Sequence, residues 1–103
     1  MLIGYARVST QEQQLDAQED LLRAAGCEKI ITDKISGTIA ERSGLNDIKK
    51  ILRTGDTLVV WRLDRLGRSL KDLIDWVAYL DQQGVALKSL HESIDTSTST
   101  GKL

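Results

Sequence analysis

Leu2-Ile3-Gly4-Tyr5-Ala6-Arg7-Val8-Ser9-Thr10 opens the chain as an apolar run that ends in a cation and two hydroxyls. Its lack of strict polar alternation suits a strand covered on both faces, in the middle of a parallel sheet. Side chains alternate along a strand, so Tyr5, Arg7 and Ser9 project together while Ala6 and Val8 point the other way. The next residues, Gln11-Glu12-Gln13-Gln14-Leu15, turn to helical spacing. A hydroxyl and a permanent cation therefore meet at a strand's carboxyl end and a helix's amino end, where an anion is favoured by both.

Working outward, strand and helix patterns keep alternating. Leu15, Leu21, Leu22 and Ala25 mark a helix over residues 11–25, with Gly26 placed to close it. A short strand is expected around Lys29–Thr32, then a loop, Asp33-Lys34-Ile35-Ser36-Gly37-Thr38. Leu45, Ile48, Ile51 and Leu52 stripe a second helix ending near Gly55, and Thr57–Trp61 reads as a third strand. A charged segment, Arg62-Leu63-Asp64-Arg65-Leu66-Gly67-Arg68-Ser69, leads into the most regular helix, with Leu70, Leu73, Ile74, Val77 and Leu80 as its apolar stripe. Gly84 stops that helix, Val85–Leu90 makes a fourth strand, and the chain turns polar after Ile94. The order βαβαβαβ with short connections predicts a three-layer α/β/α fold around a mainly parallel sheet of four to five strands.

Sites in such sheets form at the carboxyl ends of strands. The first expected strand ends in Arg7 and Ser9, the second leads to Asp33 and Ser36, and the third to Asp64, Arg65 and Arg68. All three ends are polar and two carry arginine. This convergence marks a candidate site before any family is considered.

Composition narrows its chemistry. The 103 residues fit one domain, with 41% hydrophobic residues and an aliphatic core, since Phe is absent. A net charge of −1 excludes a polycation, so nucleic-acid contact requires a local basic cluster or a further part of the protein. One cysteine, Cys27, excludes an intramolecular disulfide and suits a reducing compartment. With no secretory leader or membrane-length apolar run, a cytoplasmic protein is expected, with no membrane partner. One His and one Cys without acidic pairs at ligand spacing give no zinc site, and no dinucleotide or P-loop glycine motif occurs.

Each candidate also has a plain structural reading. Ser9-x-x-Glu12 and Thr10-x-x-Gln13 both fit a capping box, so either hydroxyl could simply cap the helix. Arg7 weighs against that alone, because an arginine on a central strand calls for a carboxylate or phosphate partner. Asp64 and Arg68 stand four apart, as in a surface helical pair, and Arg62, Arg65, Arg68 and Lys71 would form one basic ridge if helical. Arg42 could pair with Glu41, and Ser43 reads as a helix cap. His91 reads as an edge residue, Cys27 as a small buried hydrophobe, and Trp61 and Trp76 as core. With no histidine base for Ser9, a protease-like triad is excluded. A hydroxyl among guanidinium groups and carboxylates suits metal-free phosphoryl transfer, with Ser9 as covalent nucleophile.

Four motifs together resemble one family. Tyr5-x-Arg7-Val8-Ser9-Thr10 with Gln13 and Gln18, Asp33-Lys34-x-Ser36-Gly37, Arg42-x-Gly44-Leu45, and Leu63-Asp64-Arg65-Leu66-Gly67-Arg68 are similar to the catalytic domain of serine recombinases, among the small resolvases and DNA invertases. The resemblance covers essentially all of residues 1–103. It implies that Ser9 attacks a phosphodiester of double-stranded DNA, leaving a 5′-phosphoseryl linkage and a free 3′-hydroxyl, without metal or cofactor. Arg7, Arg65 and Arg68 would bind the scissile phosphate, and Asp64 would organise them or shuttle the proton. Tyr5, Gln13, Gln18, Asp33, Ser36 and Arg42 would support them. The resemblance also implies a dimer, a synaptic tetramer and a bacterial, nucleoid-associated location. The family continues into a long dimerisation helix and a helix-turn-helix DNA-binding domain, so residues 1–103 are expected to be a catalytic domain lacking both and inactive alone. Two other readings remain: a non-catalytic phosphate- or nucleotide-binding α/β module, and a regulatory truncated recombinase.

Overall fold

The computed structural model describes residues 1–9, 15–36, 39–40, 43–66 and 69–96. Four parallel strands form the middle of the sheet: β1 (Leu2–Ser9), β2 (Lys29–Ser36), β4 (Thr57–Val60) and β5 (Ala86–Ser89). Two-residue antiparallel strands, β3 (Ile39–Ala40) and β6 (Ile94–Asp95), border it, giving six strands in the order β3-β2-β1-β4-β5-β6. The helices are α1 (Leu15–Ala24), α2 (Ser43–Ile51) and α3 (Leu70–Gln82), with a 3-10 turn at Leu63–Arg65.

From β1 the chain steps outward to β2, then returns across β1 to β4 and continues to β5. Right-handed crossovers running in opposite directions must place their helices on opposite faces. The packing agrees. Leu22 of α1 shares a buried cluster with Ala6 and Val59, while Ile48 of α2 and Trp76 and Leu80 of α3 pack with Tyr5, Leu58 and Val60. Alternation along β1 thus divides the core, with Tyr5 facing one layer and Ala6 the other. A Cβ added to Gly4 would lie 3.1 Å from the Cys27 Sγ and 3.2 Å from Leu22 Cδ1, so a glycine is what lets this layer sit close to β1.

Three expectations are corrected. Asp33–Ser36 continues β2 rather than forming a loop, because its main chain pairs in register with β1 as far as Ser9↔Ile35. In α3, Leu70 and Ile74 are 74% and 57% exposed; the buried face runs through Leu73, Trp76, Val77 and Leu80, because the sheet covers only one side of the helix. Arg62 does not join a helical basic ridge: it is extended at φ −140°, ψ 148°, ahead of the three-residue turn, while the Arg68 part of that ridge lies outside the described residues. Ser69 starts α3 by accepting from the Asp72 N–H at 3.1 Å, with the Asp72 carboxylate in the first turn complementing the helix dipole. As expected, Trp76 is buried and His91 exposed; Trp61 and Cys27 are half-buried. No helix among the described residues is long and apolar enough to cross a membrane.

Candidate active site at the strand switch point

Strand order reverses between β1 and β4, a switch point at whose carboxyl ends sheets of this kind place their sites. Arg7 spans the switch point. From the last part of β1 its guanidinium Nη2 donates to the main-chain carbonyl of Asp64, in the turn that follows β4, at 2.5 Å. The arginine is buried, and a charge-assisted bond to a carbonyl offsets part of its desolvation.

On the other side of β1, register places Arg7 opposite Asp33 of β2. Asp33 is buried as well, and its Oδ2 accepts a 2.8 Å hydrogen bond from the Tyr5 hydroxyl, two residues before Arg7 on the same face. Two hydrogen-bonded pairs, Tyr5 with Asp33 and Arg7 with the main chain of Asp64, thus lie side by side, built from three segments far apart in the chain. Parallel pairing is the reason: strand registers bring residues 28 positions apart side by side without any local signal.

The Asp64 carboxylate is directed elsewhere. It is exposed and pairs with Arg62, Oδ2 to Nη2 at 3.2 Å; the Arg68 pairing that its spacing suggested falls on a residue outside the described ones. The Arg62 guanidinium also lies 5.7 Å from the Trp61 ring centroid. Gln18, on α1, is 1% exposed, and neither its amide nitrogen nor its amide oxygen has a hydrogen-bond partner among the described residues. Such a group is costly to bury, so its retention points to a partner supplied from outside them. Ser9, Ser36 and Arg65 are placed by their main chains: Ser9 ends β1, Ser36 ends β2 and Arg65 ends the turn after β4. Gln13, Arg42 and Arg68 lie outside the described residues.

One residue of this neighbourhood escaped the sequence reading. The carboxylate of Glu92, beyond β5, reaches the Leu63 N–H at 3.3 Å and so touches the turn that Arg7 holds. Nothing in its local sequence distinguishes it from a surface glutamate.

An apolar groove of about 800 Å³ lies elsewhere, between α3 and the β5–β6 edge, walled by Leu73, Val77, Leu87 and Ile94. None of Tyr5, Arg7, Asp33 or Gln18 lines it.

Comparison with known proteins adds an independent line. Residues 2–103 match the family described as Resolvase, N terminal domain. The chain is 55% identical over 102 residues to the serine recombinase gin of Escherichia phage Mu, covering 99% of this chain and 53% of that protein. It is 56% identical over 105 residues to the transposon Tn552 resolvase of Staphylococcus aureus, covering 100% of this chain and 53% of the relative. Among solved structures, the N-terminal catalytic domain of TP901-1 integrase superposes with a TM-score of 0.73 at 33% identity, over 98% of this chain and 85% of that one. The chain spans about half the length of the curated relatives it matches. By sequence across its whole length and by fold, the chain belongs to the resolvase family of serine recombinases, corresponding to their N-terminal domain.

Proposed function

We propose that this chain is the catalytic part of a site-specific recombinase that cuts and rejoins double-stranded DNA through Ser9. The observation that carries the reading is the buried Arg7, held across the switch point to the turn that also bears Arg65. The planar fork of a guanidinium matches the geometry of a phosphate, and its charge cannot be neutralised by proton loss. In the proposed step the Ser9 Oγ attacks the scissile phosphorus. The P–O bond to serine forms as the bond to the 3′-oxygen breaks, and the serine proton ends on the departing 3′-oxygen, which leaves as a hydroxyl. One phosphodiester replaces another, so the bond energy is kept and the 3′-hydroxyl can reverse the attack.

Arg7, Arg65 and Arg68 would balance the charge that builds on the phosphoryl oxygens. Tyr5 and Asp33 brace the strand face behind Arg7, while Gln18 would find in the DNA-bound complex the partner it lacks among the described residues. Gln13, Ser36 and Arg42 are assigned supporting roles by the family motifs they match. Sequence reading, and the dimer and synaptic tetramer, are assigned to the remainder of a longer protein, in keeping with the half-length match to the relatives. A location in the bacterial cytoplasm, at the nucleoid, follows from that substrate.

The test is covalent trapping on DNA nicked near the crossover point. A full-length protein carrying this chain should form a protein–DNA adduct. Ser9→Ala should abolish the adduct while leaving circular dichroism and the unfolding midpoint in place. Adducts that persist in Ser9→Ala would show that another residue is the nucleophile.

A further inference from the structure

β4 and β5 pair in parallel up to Val60↔Ser89, and the ladder runs on through Leu90 N–H to Val60 O at 3.0 Å and His91 N–H to Trp61 O at 2.8 Å. Beyond Trp61 the main chain leaves the sheet for the Leu63–Arg65 turn, and the ladder would end there. Glu92 extends it with a side chain: both carboxylate oxygens lie 3.3 Å from the Leu63 N–H. The carboxylate is held from behind, since the hydroxyl of buried Ser89 donates to its Oε1. Ser93 has a φ of 57°, a left-handed conformation uncommon for residues other than glycine, and through it the chain reverses into β6, which pairs antiparallel with β5.

The turn is therefore gripped at both ends. A carboxylate sits at its N–H end, on Leu63, and the Arg7 guanidinium sits at its carbonyl end, on Asp64. Anion at the amino end and cation at the carboxyl end is the arrangement the peptide dipoles favour. A shallow cleft of about 460 Å³, with Leu63, Ser69, Leu73 and Glu92 among its walls, lies beside the turn and gives it room to move if one grip is lost.

We infer that Glu92 is a positioning residue for DNA cleavage, latching the Leu63–Arg65 turn so that its Asp64 carbonyl holds Arg7 in register with the scissile phosphate. The inference rests on the recombinase reading above. Glu92 acts through main chain, so it sets the rate of the chemical step and leaves DNA affinity alone. Burial pushes the Glu92 carboxyl up, but the Ser89 hydroxyl and the Leu63 N–H outweigh it and hold it below the ordinary value. The latch is therefore anionic at neutral pH.

The experiment uses the full-length protein carrying this chain and a nicked DNA substrate that traps the covalent adduct. Two quantities are read: the adduct-forming rate at saturating DNA, and the DNA concentration giving half that rate. Glu92→Ala should lower the rate by about 10- to 100-fold, as small displacements of catalytic groups do, with the half-saturating concentration unchanged. Glu92→Gln, which keeps an acceptor oxygen facing Leu63, should recover most of the rate. In hydrogen exchange the Leu63 amide should lose protection in Glu92→Ala while the β1 amides keep theirs. Should Glu92→Ala fail to fold, Ser89→Ala frees the carboxylate from behind and should show a smaller loss of the same kind. A full rate in Glu92→Ala, a loss that Glu92→Gln does not recover, or a rise in half-saturating DNA at unchanged rate would each overturn the inference. The parent protein and Ser9→Ala run alongside. If the parent forms no adduct the recombinase reading fails first; if the parent reacts, Ser9→Ala is inactive and Glu92→Ala is normal, only the latch fails.

Discussion

Tyr5→Phe isolates a single buried bond. The ring is fully buried against Ile48, Leu58 and Val60, and phenylalanine keeps that packing, so the substitution removes only the hydroxyl that donates to Asp33 Oδ2 at 2.8 Å. Asp33 is 3% exposed, so water cannot simply take the donor's place. Hydrogen bonds to charged groups contribute roughly 1.5–3 kcal/mol, and leaving a buried acceptor short of a donor puts the cost within that range. A loss of about 2 kcal/mol corresponds to a fall of about 8–16 °C in Tm for a domain of this size. Urea and thermal unfolding of the 103-residue chain measure it, and a double-mutant cycle with Asp33→Ala, which removes the acceptor, should return a coupling of about 1–2 kcal/mol. The assay also bears on function, because Asp33 stands opposite Arg7 in the β1–β2 register. Full stability in Tyr5→Phe, or a coupling near zero, would refute the claim that this pair braces the strand face behind Arg7.

Three further outcomes are expected. Gln18→Leu removes a buried amide whose two polar atoms lack partners among the described residues, so it should hold or raise the urea midpoint, by up to about 2 kcal/mol, while lowering adduct formation; a clear loss of stability would show that the amide is satisfied in the free protein. Gly84 has a φ of 71°, and a Cβ there would lie 2.8 Å from Thr54 Cγ2, a side chain fixed by its hydroxyl donating to the Gln83 carbonyl; Gly84→Ala should cost about 2 kcal/mol or more, and adding Thr54→Ser, which deletes that methyl, should recover part of it in thermal unfolding. Asp56 is held below its ordinary pKa by the Arg53 N–H and the Met1 amine, and Glu92 by the Ser89 hydroxyl and the Leu63 N–H against its burial, so both contribute stability that is complete above their ordinary values and lost as pH falls through the lowered ones. Urea midpoints should accordingly drop as pH falls below about 4.5, and Glu92→Gln should flatten part of that drop.

The alternation of strands and helices, the one-domain size, the aliphatic core and the chemistry of the strand ends were all determined by sequence alone. Local rules suffice for these: apolar periodicity names an element, and glycine closes it, as at Gly26 with its φ of 100°. The family motifs, read in order, were also enough to say which residues to watch. Tertiary structure decided what those residues touch. The continuation of β2 through Ser36 depends on hydrogen bonds from β1, and the exposure of Leu70 and Ile74 depends on where the sheet ends beneath α3. Asp64 joins the site through its main chain while its carboxylate pairs with Arg62, a division that no side-chain motif encodes. Glu92 is the clearest case. It acts on a peptide N–H 29 residues away, and a backbone donor is the one partner that carries no identity in the sequence.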